Sequence, residues 1–259
     1  MAEPPCRRIA DLTRPVVIAY TSGVSHAARL RHFVAGWSAV IAVLSTACAP
    51  DPAGAPADDG APLLWRFDRL DSLGGHPLQL LGAPRLVETA LGPALEFDGE
   101  EDGLRVGLHP LEGAREFTIE VIFRPAPGGD PEQRFLHLQE HGSKDRILLE
   151  TRLVAGDRWF LDTYVKSGGE GYTLFADKHL HPLGRWHHAA LVVADREMRH
   201  YVDGVLELAR PIDFAPQGPG RSSIGVRINE VSWFKGAIRE ARFTPRALGP
   251  EEFLELPAP

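Results

Sequence analysis

EFTIEVIFRP, residues 116–125, is the stretch on which the fold class turns. In an extended chain Phe117, Ile119, Val121 and Phe123 point one way, and Thr118, Glu120 and Arg124 the other, with Ile122 the apolar exception. A period of two rather than 3.6 predicts an antiparallel strand with one face on a core and the other turned to water. Similar runs recur along the chain: LLWRFD from Leu63, ALEFD from Ala94, GLRVGL from Gly103, RFLHLQ from Arg134 and RILLETRL from Arg146. RWFLDTYV from Arg158, YTLFA from Tyr172 and RWHHAALVVA from Arg185 follow. Turn residues separate these runs at close spacing, which predicts an all-β sandwich or barrel.

The clearest local signal lies at 186–208. Strands end at Asp195-Arg196 and again at Asp203-Gly204, and Asp-Gly suits the positive φ angles of a tight type I′ hairpin, so three strands in a meander are expected. In GAIREARF from Gly236, Ala237, Ala241 and Phe243 share a parity that Arg239 violates; a bulge, which adds one residue and reverses the side-chain phase, would restore it. ALGPEEFLEL, 247–256, reads as a short C-terminal helix with Pro250 in its first turn.

The chain has 259 residues with 26 glycines and 22 prolines, a composition that suits many short strands and turns. Five of the 28 basic and two of the 35 acidic residues precede Cys48, so the remainder carries a balance of −10. Such a surface repels phosphate backbones, and no basic run offsets it; nucleic acid is not expected as a partner. The two cysteines, Cys6 and Cys48, both precede the strand-rich region, which must therefore be held by its core, without disulfides or thiolate metal sites.

Arg29 and Arg31 precede an uncharged run, FVAGWSAVIAVL at 33–44, and small residues lead to Cys48. This is the layout of a secretory signal, and the run is shorter than the roughly 20 apolar residues of a membrane span. The small residues before Cys48 resemble a bacterial lipobox, with Leu44 one place earlier than the usual position and Ser45 standing there instead. The expectation is an exported protein, lipid-anchored to the cell envelope through Cys48, or secreted or periplasmic if cleavage occurs near Ala47 without acylation. APDPAGAPADDGA, 49–61, has no large apolar side chain and reads as a flexible tether. The expected organisation is thus an N-terminal extension and signal segment at 1–48, the tether at 49–61 and a β-sandwich at 62–256.

Within 62–256 the motifs fall in a telling order: LEFDG at 95–99 with Asp102, FTIE at 117–120 with Arg124-Pro125, GRWHH at 184–188 with Ala190-Leu191, and YVDG at 201–204. Ile224-Gly225, FKG at 234–236 with Ile238, Glu240 and Arg242, then RAL at 246–248 and EEF at 251–253 complete it. The series resembles the laminin-G-like domains of the concanavalin A-like lectin/glucanase superfamily. The resemblance implies a jelly-roll sandwich of two curved antiparallel sheets, a scaffold that hosts both binders and enzymes.

Site chemistry must therefore decide between them. Laminarinase-type relatives pair carboxylates in an E-x-D-x-x-E pattern, and retaining hydrolysis needs two carboxyls about 5–5.5 Å apart. The nearest match, Glu96-Phe-Asp-Gly-Glu100, meets it poorly, and Glu120 and Glu150 read as lone acids on solvent-facing strand positions. No catalytic residue is assigned. Asp98, Glu100, Glu101 and Asp102 concentrate hard oxygen ligands in one turn, which makes Asp98 and Asp102 candidates for a structural calcium if backbone or water oxygens complete the set. His137 and His141 are about 13 Å apart along a strand and cannot share an ion, whereas His179 and His181, about 7 Å apart on one face, could chelate with a third ligand. Alternation sends one of His187 and His188 inward and the other outward, and a structural role in the strand is expected for both. For a ligand platform, the aromatics nearest polar or glycine-rich loops are Trp159, Tyr164, Tyr172 and Trp233, beside the rim loop 166–172.

These readings favour a non-catalytic extracytoplasmic binding module for a glycan or a protein ligand. A divergent glycoside hydrolase or polysaccharide lyase on the same scaffold and a structural envelope protein without a small ligand are the alternatives.

Overall fold

The computed structural model describes residues 60–256. The signal-like segment, Cys48 and the tether up to residue 59 lie outside the described residues.

Seventeen strands make up the described chain: β1 (Leu63–Arg66), β2 (Ser72–Leu73), β3 (His76–Leu81), β4 (Arg85–Thr89), β5 (Gly92–Asp98), β6 (Gly103–Val106), β7 (Phe117–Pro125), β8 (Glu132–Glu140) and β9 (Arg146–Val154). They continue with β10 (Arg158–Ser167), β11 (Glu170–Phe175), β12 (His181–Pro182), β13 (His187–Ala194), β14 (Glu197–Val202), β15 (Val205–Pro211), β16 (Gly220–Ile224) and β17 (Lys235–Thr244). One sheet has eight strands in the order β15-β14-β13-β7-β17-β5-β4, with β1 also on β17. The other has nine, β11-β10-β9-β8-β16-β6-β3-β2, with β12 also on β10. The fold is an antiparallel jelly-roll sandwich, in which consecutive strands such as β7 and β8 belong to opposite sheets.

Alternation places the core. Phe117, Ile119, Val121 and Phe123 of β7, at most 1% exposed, face Phe135 and Leu138 of β8, Ile147 and Leu149 of β9, and Trp159 and Leu161 of β10. Phe123 stacks on Phe135 with ring centroids 4.4 Å apart and planes 12° from parallel, and Trp159 meets Phe123 edge-on at 5.2 Å. Such contacts add about 0.5–1.5 kcal/mol to what burial alone supplies.

The expected turns and bulge are present. Asp203 and Gly204 have φ of 50° and 78°, and Asp195 and Arg196 have 52° and 59°, so both links of the β13-β14-β15 meander have the positive φ pair of a type I′ turn. The β17–β7 register shifts between Ile238 and Glu240, which makes Arg239 the extra residue and returns Ala241 and Phe243 to the core.

Two expectations need correction. The outer face of β7 does not meet water: Thr118, Glu120 and Ile122 are all fully buried. The C-terminal segment lies over it, with Leu248 N–H donating to Thr118 Oγ1 at 2.9 Å and Leu254 N–H to Glu120 Oε1 at 2.6 Å. The Glu120 carboxylate is further held by Arg242 Nε at 2.5 Å and by His188 Nε2 at 3.1 Å. That covering also explains why the C-terminal helix shrinks to one 3-10 turn, Pro250–Glu252. Its backbone groups bond sideways to β7 and to Arg242, whose Nη2 donates to Glu252 O at 2.6 Å.

Candidate functional site

The side chains of β9 and β10 that point away from the core form a charged depression of about 230 Å³ on the outer face of the nine-stranded sheet. In β9, Ile147, Leu149 and Thr151 turn inward, which leaves Arg146, Leu148, Glu150 and Arg152 on the outside. In β10 the same rule puts Asp162 and Tyr164 outside, and Glu150 and Asp162 stand directly opposite each other in the ladder. Arg134 of β8 and Arg227, in the loop after β16, close the rim.

Ion pairs tie this surface together. Arg134 Nε is 2.9 Å from Glu150 Oε1, and Arg152 Nη2 lies 3.2 Å from Glu150 Oε2 and 2.7 Å from Asp162 Oδ2. Glu132 bridges Arg134 and Arg152. Glu150, expected to be solvated, is 2% exposed, with Arg134 across one ladder, Asp162 across the other and Arg152 of its own strand packed around its carboxylate. Burial pushes its carboxyl up to about 7; the arginines oppose the shift and the Asp162 charge reinforces it. Burial likewise raises Asp162. At Glu132, burial is outweighed by Arg134 and Arg152, and the carboxyl is held below its usual range.

At the other end positive charge prevails. Burial, aided by the guanidinium groups of Arg227, Arg146, Arg134 and Arg221, lowers His137 to about 2. Burial and the neighbouring Arg134 and Arg146 also lower Arg227. Four arginines, Arg134, Arg146, Arg152 and Arg227, line the depression against the two acids Glu150 and Asp162.

The four candidate aromatics do not form one platform. Tyr164 lines the depression, its ring beneath the Arg146 guanidinium at 4.8 Å. Trp159 is fully buried on the inner face of β10, so its choice as a ligand contact is corrected: it fills the core. Tyr172 also faces inward and packs against the core, beneath Arg210 at 5.5 Å. Trp233, half-buried, lies against Gly103, where an added Cβ would stand 3.3 Å from its ring and 2.7 Å from Val226. The aromatic beside the depression is instead Phe175, 48% exposed and opposite Asp162 in the ladder, with Arg152 5.6 Å over its ring. Alternation from buried Leu174 would have revealed it, since Phe175 must then point outward.

In the acidic turn, Asp98 and Asp102 accept backbone donors. Asp98 Oδ1 accepts the N–H groups of Glu100, Glu101 and Asp102 at 2.9–3.1 Å. Asp102, 6% exposed, accepts Ala83 N–H at 2.7 Å and Asp98 N–H at 3.2 Å, one on each oxygen. Both carboxylates thus brace the turn as acceptors of backbone N–H groups.

Both histidines after Trp186 are buried. His187 faces inward, and His188 faces outward onto Glu120 beneath the C-terminal segment.

A comparison with curated proteins gave no match. Among solved structures, domain 4 of AbnA, an extracellular arabinanase of family GH43 from Geobacillus stearothermophilus solved with arabinotriose, superposes with a TM-score of 0.58 at 17% identity, covering 73% of this chain and 94% of that one. The binding domain of Paraclostridial Mosquitocidal Protein 1 gives 0.55 at 12% identity, covering 74% of this chain and 50% of that one. The receptor binding domain of botulinum neurotoxin type G gives 0.52 at 12% identity, covering 73% and 49%. The chain thus spans about half the length of the two toxin domains, and at these identities the likeness is one of fold. A family model for the concanavalin A-like lectin/glucanases superfamily matches residues 98–253, more than half the chain. With the two-sheet jelly roll and the ordered motifs from Asp98 to Phe253, that match makes the chain a member of the concanavalin A-like lectin/glucanases superfamily, of the laminin-G type.

Proposed function

We propose that the domain is a non-catalytic glycan-binding module, exported and held at the cell envelope through Cys48, with the outer face of the nine-stranded sheet as its ligand surface. The observation that carries this reading is an exposed aromatic, Phe175, beside a depression lined with polar groups in fixed positions. Sugars present flat C–H faces and a rim of hydroxyls, which such a combination suits. The excess of guanidinium groups around Arg227 favours a sugar bearing a carboxylate. That AbnA domain 4 was solved with arabinotriose supports the use of this fold for sugars. The test is a glycan array carrying neutral and uronate-bearing oligosaccharides, followed by titration of the best ligand. Phe175→Ala and Arg227→Ala should each weaken binding at least about tenfold, equivalent to 1.4 kcal/mol. An empty array with folded protein, or unchanged affinity in both variants, would refute the assignment; capture of only a protein would move it to a protein ligand.

One observation favours a second reading, a divergent glycoside hydrolase or lyase. Glu150 and Asp162 are two carboxyls bridged by one guanidinium, and Glu150 titrates near neutrality. Against it, both acids are almost wholly buried and both are tied to Arg152. Release of reducing ends or unsaturated sugars by the wild type, abolished in Glu150→Gln, would establish the enzyme instead.

A further inference from the structure

On the inner side of β10, opposite the proposed glycan surface, three groups from different strands converge where the two sheets part. His181 comes from β12, His187 from the start of β13, and Asp203 from the β14–β15 turn. One ring nitrogen of each histidine and one carboxylate oxygen of Asp203 lie within 4.8 Å of one another. The two imidazoles are 5.6 Å apart between ring centroids, and the buried Trp159 ring packs against both, at 5.1 and 5.2 Å.

One nitrogen of each ring is held by an acceptor outside the trio, Pro182 O for His187 and the Glu207 carboxylate for His181. His187 Nε2 lies 3.0 Å from Pro182 O, an acceptor, so it carries the hydrogen. In a neutral ring Nδ1 then holds a lone pair, and that lone pair faces Asp203 Oδ2 at 2.9 Å. Two acceptors at that distance repel unless a positive charge lies between or beside them. His181 follows the same pattern: Nε2 lies 2.6 Å from the carboxylate of Glu207, which leaves Nδ1 to turn elsewhere. Asp203 in turn accepts His188 N–H on its other oxygen at 2.9 Å. Each of the three groups is thus oriented by a second partner, a carboxylate, a backbone carbonyl or a backbone amide, as ligands of a metal ion are.

Glu207 reaches this place because of a defect in the ladder. The β14–β15 register shifts between His200 and Tyr201, so Glu207 has no partner residue opposite it. The bulge brings its side chain to 2% exposure between the sheets. A buried carboxylate on an edge strand is costly to keep unless it has a partner, and here that partner is His181.

We infer that His181, His187 and Asp203 bind a first-row divalent cation of the zinc class, with Glu207 and Pro182 O holding the two imidazoles in register. Two imidazoles and one carboxylate match the donor preference of zinc. Asp203, the exposed member, leaves the ion open to solvent on one side.

The full chain, stripped with EDTA and dialysed, is titrated with zinc chloride against a competing chromogenic chelator, with circular dichroism confirming the fold of every sample. The expected result is one zinc bound per chain. His181→Ala and Asp203→Asn, changes at a strand edge and in a turn that tolerates asparagine, should weaken it at least about 100-fold, and Glu207→Gln about 10- to 100-fold. His179→Ala, two residues from His181 but outside the constellation, should leave it unchanged. A folded wild type that binds no zinc would show that His187 and Asp203 form only an ion pair and would overturn the assignment. Equal affinity in His181→Ala and Asp203→Asn would do the same by placing the zinc elsewhere in the chain. Neither result would bear on the outer-face glycan site.

Discussion

Glu150 illustrates how a single residue takes its properties from what covers it. Its ordinary carboxyl range lies near 4.5, and burial lifts it to about 7 in the folded protein. The folded state therefore holds the proton more tightly than the unfolded chain, and the stability linked to this residue, present below about 4.5, is lost as pH rises towards 7. Glu150→Gln has no carboxyl to ionise. Denaturant melts at pH 5 and pH 8 should show the variant gaining on the wild type by on the order of 2 kcal/mol over that interval, since a tenfold change in proton affinity between folded and unfolded states is worth about 1.4 kcal/mol. An unchanged difference between the two proteins would mean that Arg134 and Arg152 fully compensate the buried charge. The sequence discloses which face of β9 carries Glu150 but not its burial, because alternation assigns a side and says nothing about what lies over it. Phe175 escapes for a related reason: the glycine-rich loop points to Tyr172, whereas the side-chain phase set by buried Leu174 is the better guide.

Among the elements, β17 is the most legible and the C-terminal segment the least. Arg239 breaks the parity of β17 in a way only an inserted residue can mend, and the inserted residue is Arg239 itself. Deleting Arg239 together with Glu240 should therefore do far more harm than deleting Arg239 alone. The single deletion makes the pairing continuous and leaves Ala241 opposite Val121, so Ala241 and Phe243, each 1% exposed, keep their core positions, whereas removing Glu240 as well shifts the pairing by one more residue and turns both towards the outer face. For the double deletion we expect loss of more than about 3 kcal/mol, the scale of an emptied aromatic site, or no folded protein at all. Arg239→Ala keeps the bulge and loses chiefly the Nε–H bond to Leu91 O, a cost of about 0.5–1.5 kcal/mol. Comparable denaturation midpoints for the single and double deletions would show that the register at the bulge does not set the phase. The C-terminal residues read as a helix because their helical signals are local, whereas the acceptor that captures Leu254 N–H belongs to Glu120, far away in sequence.

For the molecule as a whole, twelve of the seventeen strands, β1, β5–β11, β13–β15 and β17, can be read in order from the chain, but not which sheet each strand joins, since every strand of a sandwich shows the same alternation whichever layer it enters. The two layers meet where Phe123 of the eight-stranded sheet stacks on Phe135 of the nine-stranded sheet, flanked by Phe234 at 6.2 and 6.0 Å. If that stack joins the layers, the two residues must be energetically coupled, and a double-mutant cycle measures the coupling. Leucine is the proper replacement, because two alanine truncations of about 3–5 kcal/mol each would exceed the margin of a domain stable by about 5–15 kcal/mol. Phe123→Leu and Phe135→Leu each remove the ring but keep an apolar filling, so both singles and the double should fold. Once either ring is gone, the other has no stacking partner left to lose. The double variant should then be less destabilised than the sum of the singles by about 0.5–1.5 kcal/mol. Additivity to within about 0.3–0.5 kcal/mol would instead mean that each ring contributes through burial in its own layer, and that the sandwich is held by general apolar contact rather than by this stack.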